Sequence, residues 1–402
     1  MKRLTLDQQF TYLVAVSYGP DSMALLSMLL EQGFHVHVAH VNYHRRADSN
    51  LEQTGLEQYC LSHDVPCYVL DVSQPLPAGN FQAQARELRY RFFQTIMNEN
   101  QLDVLLTGHH QDDHLETAMF HEQRQSWVPY AGMQRETTLL GMKVIRPLLA
   151  MSKTALLTYC DNHQVPYALD ASNAQTTYTR NRLRQTIATW TLEQRTEELA
   201  RIDKKNHHQS QMIQTLQLRY PTFLPLNSFQ THDQTIFWML YGYFQRHGVS
   251  FPITRSLIQQ LKKIAQSSKP NWSKSIDQGL FIKHYDRFEW IVLPDLKPYQ
   301  FQYHGKTMRS AWVEIHSDAP DFPHWLVKGT RIRNALPTDR WLHQNHHLKL
   351  NRLFGDWKMP MYLRKYWPVF VNAKGKIIYT PRYQREPIVQ PLKWITIYTN
   401  RK

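Results

Sequence analysis

The 402-residue sequence predicts an α/β protein whose first part is a parallel, doubly wound sheet, followed by a helical domain and a small α+β domain. Three observations carry this. Short apolar runs alternate with helical patterns over the first 150 residues, at the spacing of βα units. Apolar positions at helical spacing, as in Ile236-Phe237-Trp238-Met239-Leu240-Tyr241, dominate 222–295. The C-terminal part carries short β-like runs, Val369-Phe370-Val371-Asn372 and Lys376-Ile377-Ile378-Tyr379, separated by an Ala-Lys-Gly turn.

In order, the candidate strands are 11–17, 35–42, 66–72, 103–108 and 143–149, with helices at 20–32, 48–63, 81–98 and 111–122 between them. Helical pattern resumes at 152–163 and, beyond a polar stretch at 170–179, runs from about 181 to 218 until Pro221 and Pro225 close it. The segment 193–217, rich in Glu, Gln, Lys, Arg and His, reads as an exposed connecting helix. A strand-rich piece at 281–293 leads to a Pro-containing connection. The domain bounds expected are therefore 1–190 for the sheet domain, 191–295 for linker and middle domain, 296–326 for the connection and 327–402 for the last domain.

Composition narrows the class. Charged residues make up 20% and aromatics 12%, which argues against wholesale disorder. The longest early apolar stretch, 23–30, is far short of the roughly 20 residues of a membrane helix. Asp7-Gln8-Gln9 interrupts any signal-peptide core, so no membrane association and a cytoplasmic location are expected. Cys60, Cys67 and Cys160 form no C-x-x-C pair, so neither a disulfide framework nor a zinc or iron–sulfur site is indicated.

The net charge of +14 is uneven: residues 327–402 hold 16 Lys and Arg against 3 Asp and Glu. Such a segment attracts polyanions by counterion release. Its interleaved aromatics, Trp341, Phe354, Trp357, Tyr362, Tyr366, Trp367, Tyr379 and Tyr383, suit either base stacking or an ordinary small core.

The strongest local signal is Val14-Ala15-Val16-Ser17-Tyr18-Gly19-Pro20-Asp21-Ser22, an apolar strand running straight into a helix. A helix N-terminus offers free N–H groups and positive potential to anionic oxygens. Ser17 and Ser22 add hydroxyls, Gly19 permits close backbone approach, Pro20 suits the first helical turn, and Asp21 beside a phosphate makes sense with Mg²⁺. The plain alternative is a capped strand–turn–helix corner. Neither a Walker loop nor a G-x-G-x-x-G loop is present.

A second strand-to-helix junction reads Gly108-His109-His110-Gln111-Asp112-Asp113-His114-Leu115-Glu116-Thr117. Asp112 and Asp113 lie three or four residues before Glu116, so the carboxylates can share a helix face. Clustered acids above parallel strands suit Mg²⁺–nucleotide chemistry, with His109 beside the reacting groups. His110 and His114 have zinc-pair spacing, but without H-E-x-x-H the acids favour a hard cation. Two basic clusters follow: Arg86 and Arg89 near Tyr90, and Arg180-Asn181-Arg182-Leu183-Arg184, whose guanidinium forks suit phosphate.

Together these residues carry a resemblance. The 17–22 loop resembles the S-G-G-x-D-S loop of the N-type ATP pyrophosphatases, the PP-loop superfamily, and 108–117 resembles the G-H-H-x-D-D-x-x-E-T block of the tRNA(Ile)-lysidine synthetase family. Arg146-Pro147-Leu148-Leu149, Val165-Pro166-Tyr167 with Asp170, Ser172 and Asn173, and Thr179-Arg180-Asn181-Arg182-x-Arg184 are similar to later blocks in the same order. Leu348-Lys349-Leu350-Asn351-Arg352-Leu353-Phe354 and Lys358-Met359-Pro360 are similar to its C-terminal RNA-handling domain. Two departures stand out: Tyr18 replaces the loop's first Gly, and 122–129 has lost the glycines of the family's Arg-Gly-rich loop, which implies a stiffer loop.

The resemblance implies an adenine nucleotide alpha hydrolase-like sheet and an ATP- and Mg²⁺-dependent ligase. It would join L-lysine to C2 of cytidine 34 in a CAU-anticodon tRNA(Ile), forming lysidine with AMP and pyrophosphate. Catalytic roles then fall to Asp21, His109, Asp113, Glu116 and Arg182, and metal binding to Asp21, Asp112 and Asp113. ATP would be held by Ser17, Tyr18, Gly19, Pro20, Asp21, Ser22, Arg86 and Arg180, and tRNA by Arg89, Asn181, Lys349 and Arg352. A homodimer is left open. Two other readings stay in view: a thiolating enzyme of the same superfamily, which would want a catalytic cysteine arrangement, and a non-catalytic RNA-binding protein.

Overall fold

The computed structural model describes residues 3–44, 48–73, 81–169, 179–269, 271–292, 298–310, 312–343, 346–384 and 392–398. The chain divides into two units, 1–211 and 212–402.

Unit 1 begins as the alternation predicts, with β1 (Thr11–Ala15), α1 (Pro20–Glu31), β2 (His35–Asn42), α2 (Ser49–Ser62), β3 (Cys67–Asp71), α3 (Phe81–Glu99), β4 (Val104–Thr107) and α4 (Gln111–Gln123). A hairpin, β5 (Glu136–Leu139) and β6 (Met142–Ile145), is followed by α5 (Lys153–Asn162), α6 (Thr179–Ala188) and α7 (Leu192–Arg219). The strand expected at 143–149 thus ends at Ile145, where Arg146 leaves the ladder.

The sheet order is β3-β2-β1-β4-β6-β5, parallel throughout except for the antiparallel β5–β6 pair. From β1 the chain moves outward to β2 and β3, then crosses to β4 on the other side. Between β1 and β4 lies the topological switch point, where loops diverge and leave a crevice. Both faces are covered, so β4 is buried along its whole length and α1, packed beneath α5, is buried at nine of its twelve residues.

The continuous helix expected from 181 to 218 is two helices. A Thr191-x-x-Gln194 capping box starts α7: the Thr191 hydroxyl accepts the Gln194 N–H at 3.2 Å, and the Gln194 amide oxygen accepts the Thr191 N–H at 2.9 Å.

Unit 2 starts with β7 (Leu224–Pro225), α8 (Asp233–Arg246), α9 (Arg255–Gln266), β8 (Asn271–Ile276), β9 (Gly279–His284) and β10 (Arg287–Val292). Where a helical domain was expected, two helices share a core with a four-stranded sheet of order β7-β10-β9-β8. Phe229, Tyr243, Phe281 and Phe288 are fully buried in this part.

The segment 296–326 is more than a connection. It carries β11 (Gln300–Gln302), β12 (Met308–Arg309) and β13 (Val313–Ile315). The chain continues through β14 (Arg331–Asn334), β15 (Arg340–His343), β16 (His346–Lys349), α10 (Leu350–Asp356), α11 (Met361–Arg364), β17 (Pro368–Val371), β18 (Ile377–Tyr379) and β19 (Ile395–Ile397). β11 pairs with β14 and β13 with β19, so two sheets, β11-β14-β17-β18-β15-β16 and β12-β13-β19, each unite both segments. All eight aromatics singled out in the basic segment belong to its two apolar cores and none is exposed. They are core, not a base-stacking surface.

Candidate functional site

The site lies at the switch point, where β1 and β4 end and α1 and α4 begin. The 17–22 loop folds onto its own hydroxyls. Ser22 Oγ donates to the Gly19 carbonyl at 3.0 Å, accepts the Ser17 N–H at 3.2 Å and sits 3.4 Å from Ser17 Oγ. Pro20 opens α1. Gly108 lets the two junctions meet, since a Cβ there would lie 3.1 Å from the Asp21 carbonyl carbon and oxygen and from Ser22 Cα.

Asp21 and Asp113 converge on one histidine. His110 Nε2 lies 3.5 Å from an oxygen of each. Burial opposes charge on His110, but its hydrogen bond to Asp21 and the Asp113 carboxylate outweigh burial and raise its pKa. Burial alone would raise Asp21; His110 and the Lys153 ammonium at 3.1 Å outweigh it and hold the carboxyl below its usual range. Oδ1 of Asp21 is buried without a hydrogen-bond partner among the described residues.

That orphaned oxygen fits a hard cation. Among the described residues, no group of three or more His, Cys, Asp or Glu is arranged to hold a metal. Mg²⁺ usually takes one or two carboxylates and completes its shell with water and substrate phosphates, which Asp21 and Asp113 match.

Asp112 approaches the other ring nitrogen of the same histidine, His110, 3.9 Å from Nδ1, and is bound elsewhere. One oxygen accepts the Lys153 N–H at the start of α5 at 3.2 Å, and the other pairs with Arg195 at 3.0 Å. It ties α4 to α5 and α7.

Glu116 is buried and accepts a hydrogen bond from Arg184 Nε at 2.6 Å, with Arg184 also 3.9 Å from Asp113. The arginine that α6 delivers to α4 is therefore Arg184, itself half exposed beside the buried Glu116, while Arg182 is exposed. Two residues along a helix is about 200° of rotation, so the two cannot share a face. Arg180 and Asn181 have backbone in α6, and their side chains lie outside the described residues, as do Asp170, Ser172 and Asn173.

His109 Nδ1 is 2.8 Å from the Thr107 hydroxyl. Burial lowers its pKa to about 4; Asp113 opposes this, and Arg146 and Arg86 add to it. It is neutral at neutral pH, a hydrogen-bonding group rather than a cation. Arg86 stacks over Tyr90 at 4.7 Å, and Arg89 sits over Tyr43 at 5.8 Å. His114 is turned to the loop after α4, with its Nδ1 3.0 Å from both the N and the O of Met133. In unit 2, Lys349 and Arg352 are both exposed at the β16–α10 corner.

The loop after α4 is tied to α7 just beyond 122–129. The buried Asn206 amide accepts the Ala131 N–H at 2.7 Å and donates to its carbonyl at 3.0 Å, and Arg201 bridges Glu122 and Glu198. Sequence reasoning left Lys153 and Arg195 without a place in the site, and it named Arg184 in a basic cluster without giving it a role. For Lys153 the available signal was its position soon after Arg146-Pro147-Leu148-Leu149, a block already singled out.

A parallel sheet with a hydroxyl-lined anion loop and two convergent carboxylates at its switch point defines a PP-loop domain, and residues 2–190 match the PP-loop domain family. A tRNA(Ile)-lysidine synthase of Mycoplasma pneumoniae is 39% identical over 190 residues, covering 46% of this chain and 64% of that protein. One from Ureaplasma parvum is 30% identical over 292 residues, covering 70% and 87%, and one from Bacillus subtilis is 28% identical over 425 residues, covering 92% and 89%. The chain belongs to the tRNA(Ile)-lysidine synthase family.

Proposed function

We propose that the protein uses ATP to attach lysine to C2 of cytidine 34 in a CAU-anticodon tRNA(Ile). The observation that carries this is the pairing of an anion-binding loop with Asp21 and Asp113 beside a separate, buried Glu116, in a chain whose relatives of matching length bear that name. The reaction has two steps. The C2 oxygen of cytosine attacks the ATP α-phosphorus and pyrophosphate leaves; the lysine ε-amine then adds at C2, AMP departs with the former C2 oxygen, and the amine gives up a proton.

Ser17, Ser22 and the α1 N-terminus bind the pyrophosphate oxygens. Asp21 and Asp113 hold Mg²⁺, which when bound spreads the charge of the transferring phosphoryl group. Lys153, beside Asp21, is placed to neutralise phosphate. Glu116 or Asp113 receives the lysine ammonium and helps take its proton, which a free pKa near 10.4 otherwise retains at neutral pH. Without lysine Glu116 is paired with Arg184, which the ammonium would displace or share. The exposed Lys349 and Arg352 grip the tRNA backbone.

The test is incorporation of labelled lysine into an unmodified CAU-anticodon tRNA(Ile) transcript with ATP and Mg²⁺, with elongator tRNA(Met) as control. Label in the first alone is the expected outcome. Tight tRNA binding without label refutes the assignment and points to another modification.

A further inference from the structure

We infer that Tyr18 and Gly55 form a knob and notch that hold the 17–22 loop in its anion-binding shape, which makes Tyr18 a positioning residue for ATP. The inference deepens the proposed function and rests on that reading of the loop.

Tyr18 has φ +61°, in the left-handed region that bulky residues rarely enter. Such a conformation persists only where its surroundings over-determine it. Two attachments do so. Gly55 lies within α2, where glycine weakens a helix relative to alanine. A Cβ at that position would stand 2.5 Å from Tyr18 Oη and 2.7 Å from Cζ, so the bare backbone is what admits the phenol. The ring also packs against the apolar core around α1. The second attachment is the Tyr18 carbonyl, which accepts the Ala168 N–H at 2.9 Å.

The ring is thus seated on α2, and the turn it pins is flanked by Ser17, whose N–H and hydroxyl face Ser22 Oγ. A glycine at 18 would reach the same φ unaided but would also populate many other conformations. Tyr18 trades that freedom for one geometry, and the notch at Gly55 stabilises it.

The experiment measures ATP–Mg²⁺ affinity by calorimetry, with steady-state lysine incorporation alongside. Its variants are Tyr18→Gly, Tyr18→Phe, Gly55→Leu and the Tyr18→Gly/Gly55→Leu pair. Tyr18→Gly is expected to raise both Kd and KM for ATP about 5- to 10-fold, as the competent fraction of the loop falls, while kcat at saturating ATP changes less than about 2-fold. Tyr18→Phe, which keeps the ring, restores most of the affinity. Gly55→Leu fills the notch with a good helix former; it should weaken ATP binding about 5-fold or more with Tyr18 present and less than about 2-fold with Gly at 18.

Unchanged affinity in Tyr18→Gly, or an equal effect of Gly55→Leu in both backgrounds, overturns the inference. So does joint loss of kcat and melting temperature in Tyr18→Gly, which would mark a folding role only. A wild-type protein that binds ATP yet transfers no lysine refutes the proposed function instead, and the affinity measurements still decide the role of the pair.

Discussion

Gly108→Ala tests whether the two junctions of the switch point meet as closely as described. The added methyl group would meet backbone on the other side: the Asp21 carbonyl and Ser22 Cα at 3.1 Å, where ordinary contacts begin near 3.4 Å. Backbone cannot swing aside as a side-chain tip can, and α1 is locked by its nine buried residues. A shift of a few tenths of an ångström is needed. Overpacking of this kind costs about 1–3 kcal/mol. For a unit of this size that lowers the melting temperature by roughly 2–4 °C per kcal/mol.

The same shift moves Asp21 relative to Asp113. Since a displacement of about 1 Å at a reacting centre costs about 100-fold, a third of that should reduce kcat/KM by roughly 5- to 10-fold. Differential scanning calorimetry and labelled-lysine kinetics measure the two effects. Gly355→Ala is the control: no atom lies within 4 Å of its added Cβ, its φ is not in the left-handed region, and it lies in α10, so it should be neutral or stabilising by up to about 1 kcal/mol. Wild-type melting and wild-type turnover in Gly108→Ala would refute the close approach and the argument built on it.

Asp113→Ala should abolish lysine transfer while tRNA affinity stays within about 2-fold by filter binding; parallel loss of both would remove Asp113 from the chemistry. Replacing Lys349 and Arg352 with Gln should weaken tRNA binding and lower the salt slope by about 1.5, at roughly 0.7–0.9 per phosphate contact, with ATP affinity unchanged; an unaltered slope would deny both residues a backbone contact. Asn206→Ala leaves the buried Ala131 amide groups without their partner and should cost about 1–3 kcal/mol, with faster hydrogen exchange at the Ala131 N–H; native-like protection there would show that the clamp is dispensable.

Legibility along the sequence followed the range of the interactions. The βα alternation of unit 1 could be read because each strand is a buried apolar run and each junction carries its own turn chemistry. The α6–α7 break was also local, in Thr191-x-x-Gln194, but the polar helical pattern on both sides hid it. The strands of 296–326 are two or three residues long and depend on partners as distant as Ile395–Ile397, so no short window reveals them. The basic segment's aromatics fit two readings equally, and only burial separates them.

In the site, Asp21, Asp113 and Glu116 were visible through spacing along two helix starts. Lys153, and the carboxylate partners of Arg184, were not, because each side chain reaches the carboxylates only through packing, of α5 against α1 and of α6 against α4. Asp112, adjacent to Asp113 in sequence, is turned to Arg195 by the helical rotation that separates neighbours.

The β5–β6 hairpin bears on how copies of unit 1 can associate. Without β5, the backbone groups of β6 would offer a template onto which a strand of another molecule could add, and addition could repeat. Instead the chain folds one short antiparallel strand of its own over that margin, with Glu136 and Thr138 exposed and Glu136 linked to Lys143 at 3.6 Å. The open end of the hairpin is fixed by Arg146, whose guanidinium donates to the Gln134 carbonyl at 2.7 Å and whose N–H donates to the Arg135 carbonyl at 2.8 Å. β5 is then the outer strand at this margin, and its four-residue length and exposed Glu136 blunt the edge it presents.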